Sequence, residues 1–285
     1  MYMYSTTMLY VSSQDGCKMF VPALELREDA AFTDQRGKFL NLADRHEPIV
    51  VTQLKYSHIP KATRTGVDAF VNDPVLRYTR QTPDYKGSND AIGKAVGRAL
   101  NRLVTALCIR TKIARTVNKG GSIVIATYAE NSSEGRNRKP SDRFFDFVTE
   151  SLFRDLQNSG TPMQRERSKE MMSKAEATVE EAIGDRAKDM LFVDLLATAP
   201  AEQGRGYGSA VLDSITKEAD IQNRATWLHS SNVSNTEFYN SHGFVTVRTY
   251  LLGDKNPEWH EPPVIVSIMV REPRKPADTY QKCLA

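Results

Sequence analysis

The stretch MLFVDLLATAPAEQGRGYGSAVLDSITKEAD, residues 190–220, decides the fold. Its apolar start, up to Pro200, predicts a buried β-strand, and the spacing of apolar residues from Ser209 onward predicts an amphipathic helix. Between them lies the loop Gln203-Gly204-Arg205-Gly206-Tyr207-Gly208. Glycines in such a loop let backbone N–H groups approach an anion, and the helix dipole favours negative charge there. The stretch therefore predicts a phosphate site, although the same glycines would also suit a purely structural corner.

The spacing of these glycines distinguishes between classes of phosphate-binding loop. The P-loop of nucleotide hydrolases requires GxxxxGK[ST], and the chain contains no Gly-Lys-Ser or Gly-Lys-Thr sequence. A dinucleotide fingerprint requires GxGxxG after the strand that opens a parallel unit. Here the glycines stand at 204, 206 and 208, late in the chain. A nucleotide-binding module is therefore only a minor alternative.

A regular series of elements follows the glycine loop. The sequence predicts a strand in ATWLHS, a short helix in NTEFYNSHG that ends at Gly243, and two further strands in FVTVRTYLL and VIVSIMV. Together with residues 190–220, these give the element order β, α, β, α, β, β.

Residues 190–271 resemble the GNAT (Gcn5-related) acyl-CoA N-acyltransferases. The glycine loop fits that family's Q/R-x-x-G-x-G/A pyrophosphate motif at every specified position, and the strand before it looks like the family's fourth strand. The resemblance implies an α/β (α+β) fold with a mixed, mostly antiparallel central sheet flanked by helices. A looser resemblance in element order reaches back to about Val21, whereas the long segment before residue 190 departs from the family pattern. The downstream match rests on Asn235, Phe238, Tyr239, Gly243 and Phe244.

The region upstream of residue 190 supplies the other predicted elements. They are a strand in FVPALELRED, a helix in DAAFTDQRGKFL, a loop with short helical turns over 68–86, a helix from Asp90 to about Arg110 with Asn89 or Asp90 as N-cap, and a hairpin that turns at residues 118–121. We interpret the charge-dense segment 131–189 as an insertion of two helices, the second solvated. The domain organisation is then an N-terminal extension (1–20), a single domain (21–272) and a C-terminal tail (273–285).

The resemblance implies direct transfer of acetyl from acetyl-CoA to a primary amine, with a small molecule as the expected acceptor. The diphosphate would bind the backbone N–H groups of Gln203, Gly204, Arg205, Gly206, Tyr207 and Gly208, with the helix from Ser209 adding its dipole. Backbone groups of Leu196, Ala197 and Thr198 would bind pantetheine and polarise the acetyl carbonyl. Tyr239 stands where the family places the residue that protonates the leaving thiolate, and Asn235 would either bind pantetheine or cap its helix.

The general base is the least defined part of the site. Asp194, by strict alternation, shares a face with Leu196 and Thr198, and would serve either as the base or as a hydrogen-bonded structural residue. Glu130 and His229 are weaker candidates, because a single histidine on a strand is usually a core residue.

The charge, the cysteine positions and the N-terminal sequence limit the kinds of partner and the compartment that we expect. A formal net charge of +3, from 38 basic and 35 acidic residues without a block of five like charges, gives no basic arm for nucleic acid or membrane. Cys17, Cys108 and Cys283 lie far apart, so neither a zinc site nor a disulfide framework is predicted. No secretory signal is evident in MYMYSTTMLY, and we expect a cytoplasmic or nuclear protein, a monomer or homodimer, that needs no metal.

Two alternative functions stay open at this point. One is a catalytically silent acyl-CoA-binding regulatory protein, against which an intact Tyr239 argues mildly. The other is an N-acetyltransferase of proteins or peptides.

Overall fold

The fold is described from a computed structural model that covers residues 48–85, 91–136, 139–158 and 160–274. The strands are β1 (Thr52–Gln53), β2 (Ile113–Val117), β3 (Ser122–Thr127), β4 (Leu191–Thr198), β5 (Thr226–Ser230), β6 (Val245–Leu252) and β7 (Val264–Arg271). The helices are α1 (Ile59–Ala69), α2 (Pro74–Arg80), α3 (Ala91–Thr111), α4 (Ser133–Arg136), α5 (Pro140–Asn158), α6 (Pro162–Ala182), α7 (Tyr207–Ile221) and α8 (Thr236–Ser241).

Most of the elements predicted from sequence within these ranges are present. The helix predicted from Asp90 is α3, the hairpin is formed by β2 and β3, and every element predicted over 190–271 is found in the predicted order. The strand and helix predicted within residues 20–40, the N-cap at Asn89 or Asp90, and the tail beyond residue 274 lie outside the described residues.

The strands form one seven-stranded sheet in the order β1-β2-β3-β4-β5-β7-β6. Only the central pair β4 and β5 is parallel, and each other neighbouring pair is antiparallel. The predicted mixed, mostly antiparallel sheet is thereby confirmed.

The parallel pair β4–β5 separates soon after it begins. Residues 191–193 of β4 pair with residues 226–228 of β5, and no pairing between these strands continues beyond Val193 and Leu228. From Leu195 to Thr198, β4 therefore pairs only with β3 among the described strands, and its other edge faces a gap in the centre of the sheet.

A β-bulge in β4 lies where the strands separate. Ile125 pairs with Leu195 and Ala126 pairs with Val193, which leaves Asp194 as the extra residue. Because of the bulge, Asp194 does not share a face with Leu196 and Thr198, so the alternation expected from the sequence is wrong here. Leu196 packs on the side of α7, whereas the Asp194 carboxylate bonds to Lys112 and Thr127 on the other side.

Helices cover both faces of the sheet. Helix α7 packs Val211, Leu212 and Ile215 on one face. On the other face, α1 and α3 cover β2–β4, and α2 and α6 cover the strands from β5 onward. The central gap thus lies between two separate groups of covering helices.

Helix α6 corrects the prediction that the second helix of 131–189 is solvated. Met171, Ala175 and Val179 are at most 5 % exposed and pack in the same cluster as Val266 and Ile268 of β7. The four-residue spacing gives α6 one narrow apolar face. Because the rest of the helix carries many charged residues, this apolar face is difficult to recognise in the sequence.

The β2–β3 turn shows why the predicted hairpin needs glycine. Gly120 has φ +106°, and a Cβ there would lie 2.7 Å from the Ala62 nitrogen of α1. Asn118 and Lys119 also adopt positive φ, at 53° and 52°. The turn therefore packs directly against the start of α1.

Candidate active site

The glycine loop enters α7 with free backbone donors. Gly204 and Gly206 have φ of +74° and +76°, a conformation that favours glycine, and Gly206 is the N-cap of α7. Within the described residues, no backbone N–H from Gly204 to Ser209 donates a hydrogen bond to the protein. Six successive amides at a helix N-terminus form a site for a negatively charged group such as a diphosphate.

The loop is anchored at its entrance. Glu202, one residue before the loop, accepts hydrogen bonds from Lys61 Nζ at 2.8 Å and from Asn118 Nδ2 at 2.8 Å. The side-chain amide of Gln203 donates from Nε2 to the Thr198 main-chain carbonyl at 3.2 Å. These contacts tie the loop to α1, to the hairpin turn and to the end of β4.

The third glycine, Gly208, allows close packing of α7 on β4. A Cβ at this position would lie 3.3 Å from Thr198 Oγ1. The open edge of β4 at Leu196, Ala197 and Thr198 therefore leads directly to the free amides of the loop. The structure brings together all the residues that the sequence assigned to diphosphate and pantetheine, apart from Asn235, which belongs to the segment before α8.

Tyr239 is buried on α8, 9 % exposed, with its ring against Phe238 and Phe244. Burial, and next the charge of Asp73, raise the pKa of Tyr239 to about 12. The phenol therefore keeps its proton at neutral pH. Within the described part of the chain, its hydroxyl forms no hydrogen bond, which leaves the proton available to another acceptor.

Asn235 precedes α8 and is exposed. Its side chain makes no capping hydrogen bond to the helix, whereas Asn232 accepts one from the Ser234 N–H at 3.0 Å. Of the two roles that the sequence left open for Asn235, side-chain capping is not seen.

Asp194 is 3 % exposed and already has partners for both carboxylate oxygens. Lys112 Nζ donates to Oδ1 in a close ion pair, and Thr127 Oγ1 donates to Oδ2 at 2.7 Å. Glu130, the second candidate base, is exposed after β3.

His229 follows the last residue of β5 that pairs with β4, and it lies among aromatic rings. Phe192, Trp227 and Tyr250 have ring centroids 5.9, 5.4 and 6.3 Å away. Burial lowers the pKa of His229 to about 4, so its imidazole is neutral at physiological pH. Its surroundings match the core histidine that the sequence favoured.

A cavity of about 270 Å³ opens near the α8 end of the site. Its walls come from the start of α2, the turn after β5 and the β6–β7 connection. They include Pro74, Ser231, Val233, Trp259, Pro262 and Pro263.

Asp73, which was not predicted as a site residue from the sequence, lies directly behind this cavity. Asp73 is 7 % exposed and is the N-cap of α2, where its side chain accepts the Val75 and Leu76 N–H groups at 3.0 Å each. The hydroxyl of Ser231, a residue of the cavity wall, donates to its other oxygen. The only available signal was an Asp-Pro pair at the start of a helix.

Two features are absent from the described residues. None of the helices in these ranges is long and apolar enough to span a bilayer. No three side chains among the described His, Cys, Asp and Glu residues are placed so that they would hold a metal ion.

The comparisons with known proteins agree with this geometry. Residues 173–246 match the family model described as "Acetyltransferase (GNAT) domain". No curated protein matches the sequence. Arylalkylamine N-acetyltransferase 2 from Aedes aegypti is similar in structure, with 12 % identity over 80 % of this chain and 100 % of that chain and a TM-score of 0.50. The apo form of an agmatine N-acetyltransferase mutant has 14 % identity over 79 % of this chain and 100 % of that chain, also with a TM-score of 0.50.

At such low identity, the structural neighbours support the fold, and the family model adds the sequence match across β4, the glycine loop and α8. The free amides of 204–209 and the separating strands lie within the matched residues, and acetyl-CoA is the cosubstrate of the GNAT family. Residues 173–246 therefore match the GNAT acetyltransferase domain, and the match supports an acyltransferase.

Proposed function

We propose that this chain transfers the acetyl group of acetyl-CoA directly to the primary amine of a small molecule. The observation that carries the proposal is the continuity of two sets of unpaired backbone groups. The amides of residues 204–209 lack protein acceptors, and the adjoining edge of β4 from Asp194 to Thr198 lacks a partner strand. One extended ligand with an anionic end would satisfy both sets.

In this proposal, different residues bind the diphosphate, bind the pantetheine arm and protonate the leaving thiolate. The loop of Gln203–Gly208 and the first turn of α7 hold the diphosphate, while backbone groups of Leu196, Ala197 and Thr198 hold the pantetheine arm and polarise the thioester carbonyl. The neutral amine attacks the thioester carbonyl, and as the C–N bond forms and the C–S bond breaks, Tyr239 donates its phenolic proton to the leaving thiolate. The proton that the amine nitrogen loses passes to solvent water, from which Tyr239 is reprotonated. Burial of the phenol supports this role, because it keeps the proton in place until the thiolate develops.

In this proposal, Asp194 has a structural role and is not the general base. Both of its oxygens are hydrogen-bonded, and its charge is balanced by Lys112. A base must have a lone pair directed at the substrate proton. We expect Asp194→Asn to lower stability while kcat falls less than threefold, and a hundredfold lower kcat in a folded variant would restore Asp194 as the base.

A small acceptor is supported by the size of the cavity between the start of α2 and the β6–β7 connection. About 270 Å³ is near the lower end of ordinary ligand pockets. The two similar structures named above are those of an arylalkylamine and an agmatine acetyltransferase, which fits the same acceptor class. Acetylation of peptides in preference to a panel of primary amines would contradict this part of the proposal.

The first test is calorimetric titration with CoA of the parent chain and of Gly206→Leu/Gly208→Leu, with circular dichroism as a check of folding. We expect micromolar binding by the parent and none by the folded variant. Gly184→Ala is the matched control, because Gly184 also has positive φ, at +46°, but lies outside the site. A folded parent that does not bind CoA would refute the proposal.

The second test separates an enzyme from a silent binder. Tyr239→Phe removes the phenolic proton and keeps the ring between Phe238 and Phe244. We expect unchanged CoA affinity and at least a tenfold lower kcat. A parent that binds CoA but acetylates neither amines nor peptides would favour the silent regulatory protein.

A further inference from the structure

Two acidic residues of the described chain are buried, and they differ in their partners. Asp194 has Lys112 as its counterion. Asp73 is 7 % exposed and has no cationic partner among the described residues. A buried carboxylate without a nearby cation is costly, and proteins keep such groups where a ligand supplies the missing charge.

The hydrogen bonds of Asp73 leave part of its carboxylate unused. An ionised carboxylate has about four acceptor positions. Val75 N–H, Leu76 N–H and the Ser231 hydroxyl occupy three of them. One position therefore remains for a further donor.

Capping of α2 alone does not require a charge. Serine and asparagine are as effective as aspartate at an N-cap, and neither would bury a carboxylate. The aspartate therefore adds a negative charge that the helix does not need, and burial raises the pKa of this carboxyl.

The surroundings of Asp73 indicate where the missing cation would sit. Its neighbour Pro74 and its hydrogen-bond donor Ser231 both line the 270 Å³ cavity. Its charge acts on the phenol of Tyr239, so the carboxylate is close to the group proposed to act on the thiolate. The other walls of the cavity are mainly apolar and include Val233, Trp259 and Pro262.

On the basis of the proposed function, we infer that Asp73 binds the ammonium group of the acceptor and that the acceptor is a small monocationic amine with an apolar body. The ammonium donates to the unused acceptor position of the Asp73 carboxylate, next to Ser231 at the cavity wall. The apolar body fills the cavity against Trp259 and Pro262. The charged pair of Arg77 and Glu261, which also borders the cavity, is already neutralised internally.

The inference is tested with Asp73→Asn and Asp73→Ser, both of which can still cap α2. With the best amine of the panel, we expect at least a tenfold higher KM for the amine and a KM for acetyl-CoA within twofold of the parent value. Asp68→Asn in α1 is the control, because it removes the same charge from a half-buried position and should leave both constants unchanged. An unchanged amine KM in a folded Asp73 variant would overturn the inference.

A measurement on the parent chain covers the case in which both variants fail to fold. With CoA bound, calorimetry compares hexylamine with 1-hexanol, which has the same apolar chain and no charge. We expect hexylamine to bind at least tenfold more tightly, and equal affinities would exclude an ammonium site. Failure of the parent to bind CoA would refute the proposed function itself, which distinguishes that result from failure of the Asp73 inference.

Discussion

Arg167 of α6 donates a hydrogen bond from its guanidinium to the main-chain oxygen of Tyr78 in α2, over 2.9 Å. Arg167 is 2 % exposed, and its guanidinium also reaches the main-chain oxygen of Glu258 at 3.2 Å. The Tyr78 and Trp259 rings stack on it, with centroids 4.9 and 5.4 Å away. One buried cation thus joins α6 to two walls of the cavity, α2 and the β6–β7 connection.

We therefore expect Arg167→Met to destabilise the fold by about 3 kcal/mol, because several buried carbonyls lose their donor. Arg165→Met on the exposed side of the same helix should change stability by less than about 0.5 kcal/mol. Urea unfolding measures both values. Equal, small effects of the two substitutions would show that the buried guanidinium is not needed to hold these walls.

The Lys112–Asp194 pair should behave as a coupled unit. Lys112→Met leaves a buried carboxylate without its counterion and should cost about 3 kcal/mol. Adding Asp194→Asn removes that charge, so the double variant should recover part of the loss. A double-mutant cycle by urea unfolding gives the coupling energy, and strictly additive effects would contradict the pairing.

Alanine substitutions at two glycines with positive φ should lower the free energy of unfolding by different amounts. Gly120→Ala would place a Cβ 2.7 Å from the Ala62 nitrogen and should cost more than about 3 kcal/mol. Gly204→Ala has open space around its Cβ, so only the cost of positive φ remains, about 1 kcal/mol. Thermal unfolding compares the two, and a reversed order would be inconsistent with the packing of the hairpin turn on α1.

Buried phenols predict a loss of stability at high pH. Burial raises the pKa of Tyr78 and of Tyr239 to about 12, whereas the unfolded phenol titrates near 10. The unfolded state releases these protons first, so stability is full below pH 10 and falls as the pH rises toward 12. For Tyr239 the loss is at most about 3 kcal/mol. Unfolding between pH 8 and 11.5 should show a weaker decline for Tyr239→Phe, while Tyr56→Phe, at an exposed phenol, should follow the parent.

Because of the buried His229, the protein should also lose stability as the pH falls below neutral. Burial lowers its pKa to about 4, while an unfolded histidine titrates near 6.5. The unfolded state therefore takes up the proton first, and the contribution is complete above pH 6.5 and is lost as the pH falls toward 4. His229→Asn should weaken the decline in stability between pH 7 and 4.5. Substitution of the exposed His260 by asparagine should not change it.

The elements over 190–271 were predictable because local sequence alone specifies them. Alternating apolar residues, a glycine loop and a glycine stop at Gly243 each act within a few residues of the chain. Helix α1 was missed, because the residues it buries are Ala62, Thr63, Thr65 and Gly66, which are small or carry hydroxyl groups and do not form an apolar stripe in the sequence.

The site was predictable where backbone chemistry determines it and not where distant segments meet. The free amides of 204–209 follow from the glycines themselves. The face of Asp194 depends on a bulge between β3 and β4, which no local pattern of β4 reveals. Asp73 is close to Ser231 only because α2 packs beside the end of β5, and these two residues are 158 positions apart in the chain.

The family model begins at residue 173, partway along α6, so Arg167 lies on the unmatched side of that boundary and Met171 with it. The C-terminal part of the same helix continues into the matched region and packs Ala175 and Val179 on the sheet. A single helix therefore connects the part of the chain that matches the family model to the walls of the cavity. Under the proposed function, substitutions in the first turns of α6 would change the shape of this cavity and the preference for acceptors over evolutionary time, while binding of the coenzyme by main-chain groups on the other face of the sheet would stay unchanged.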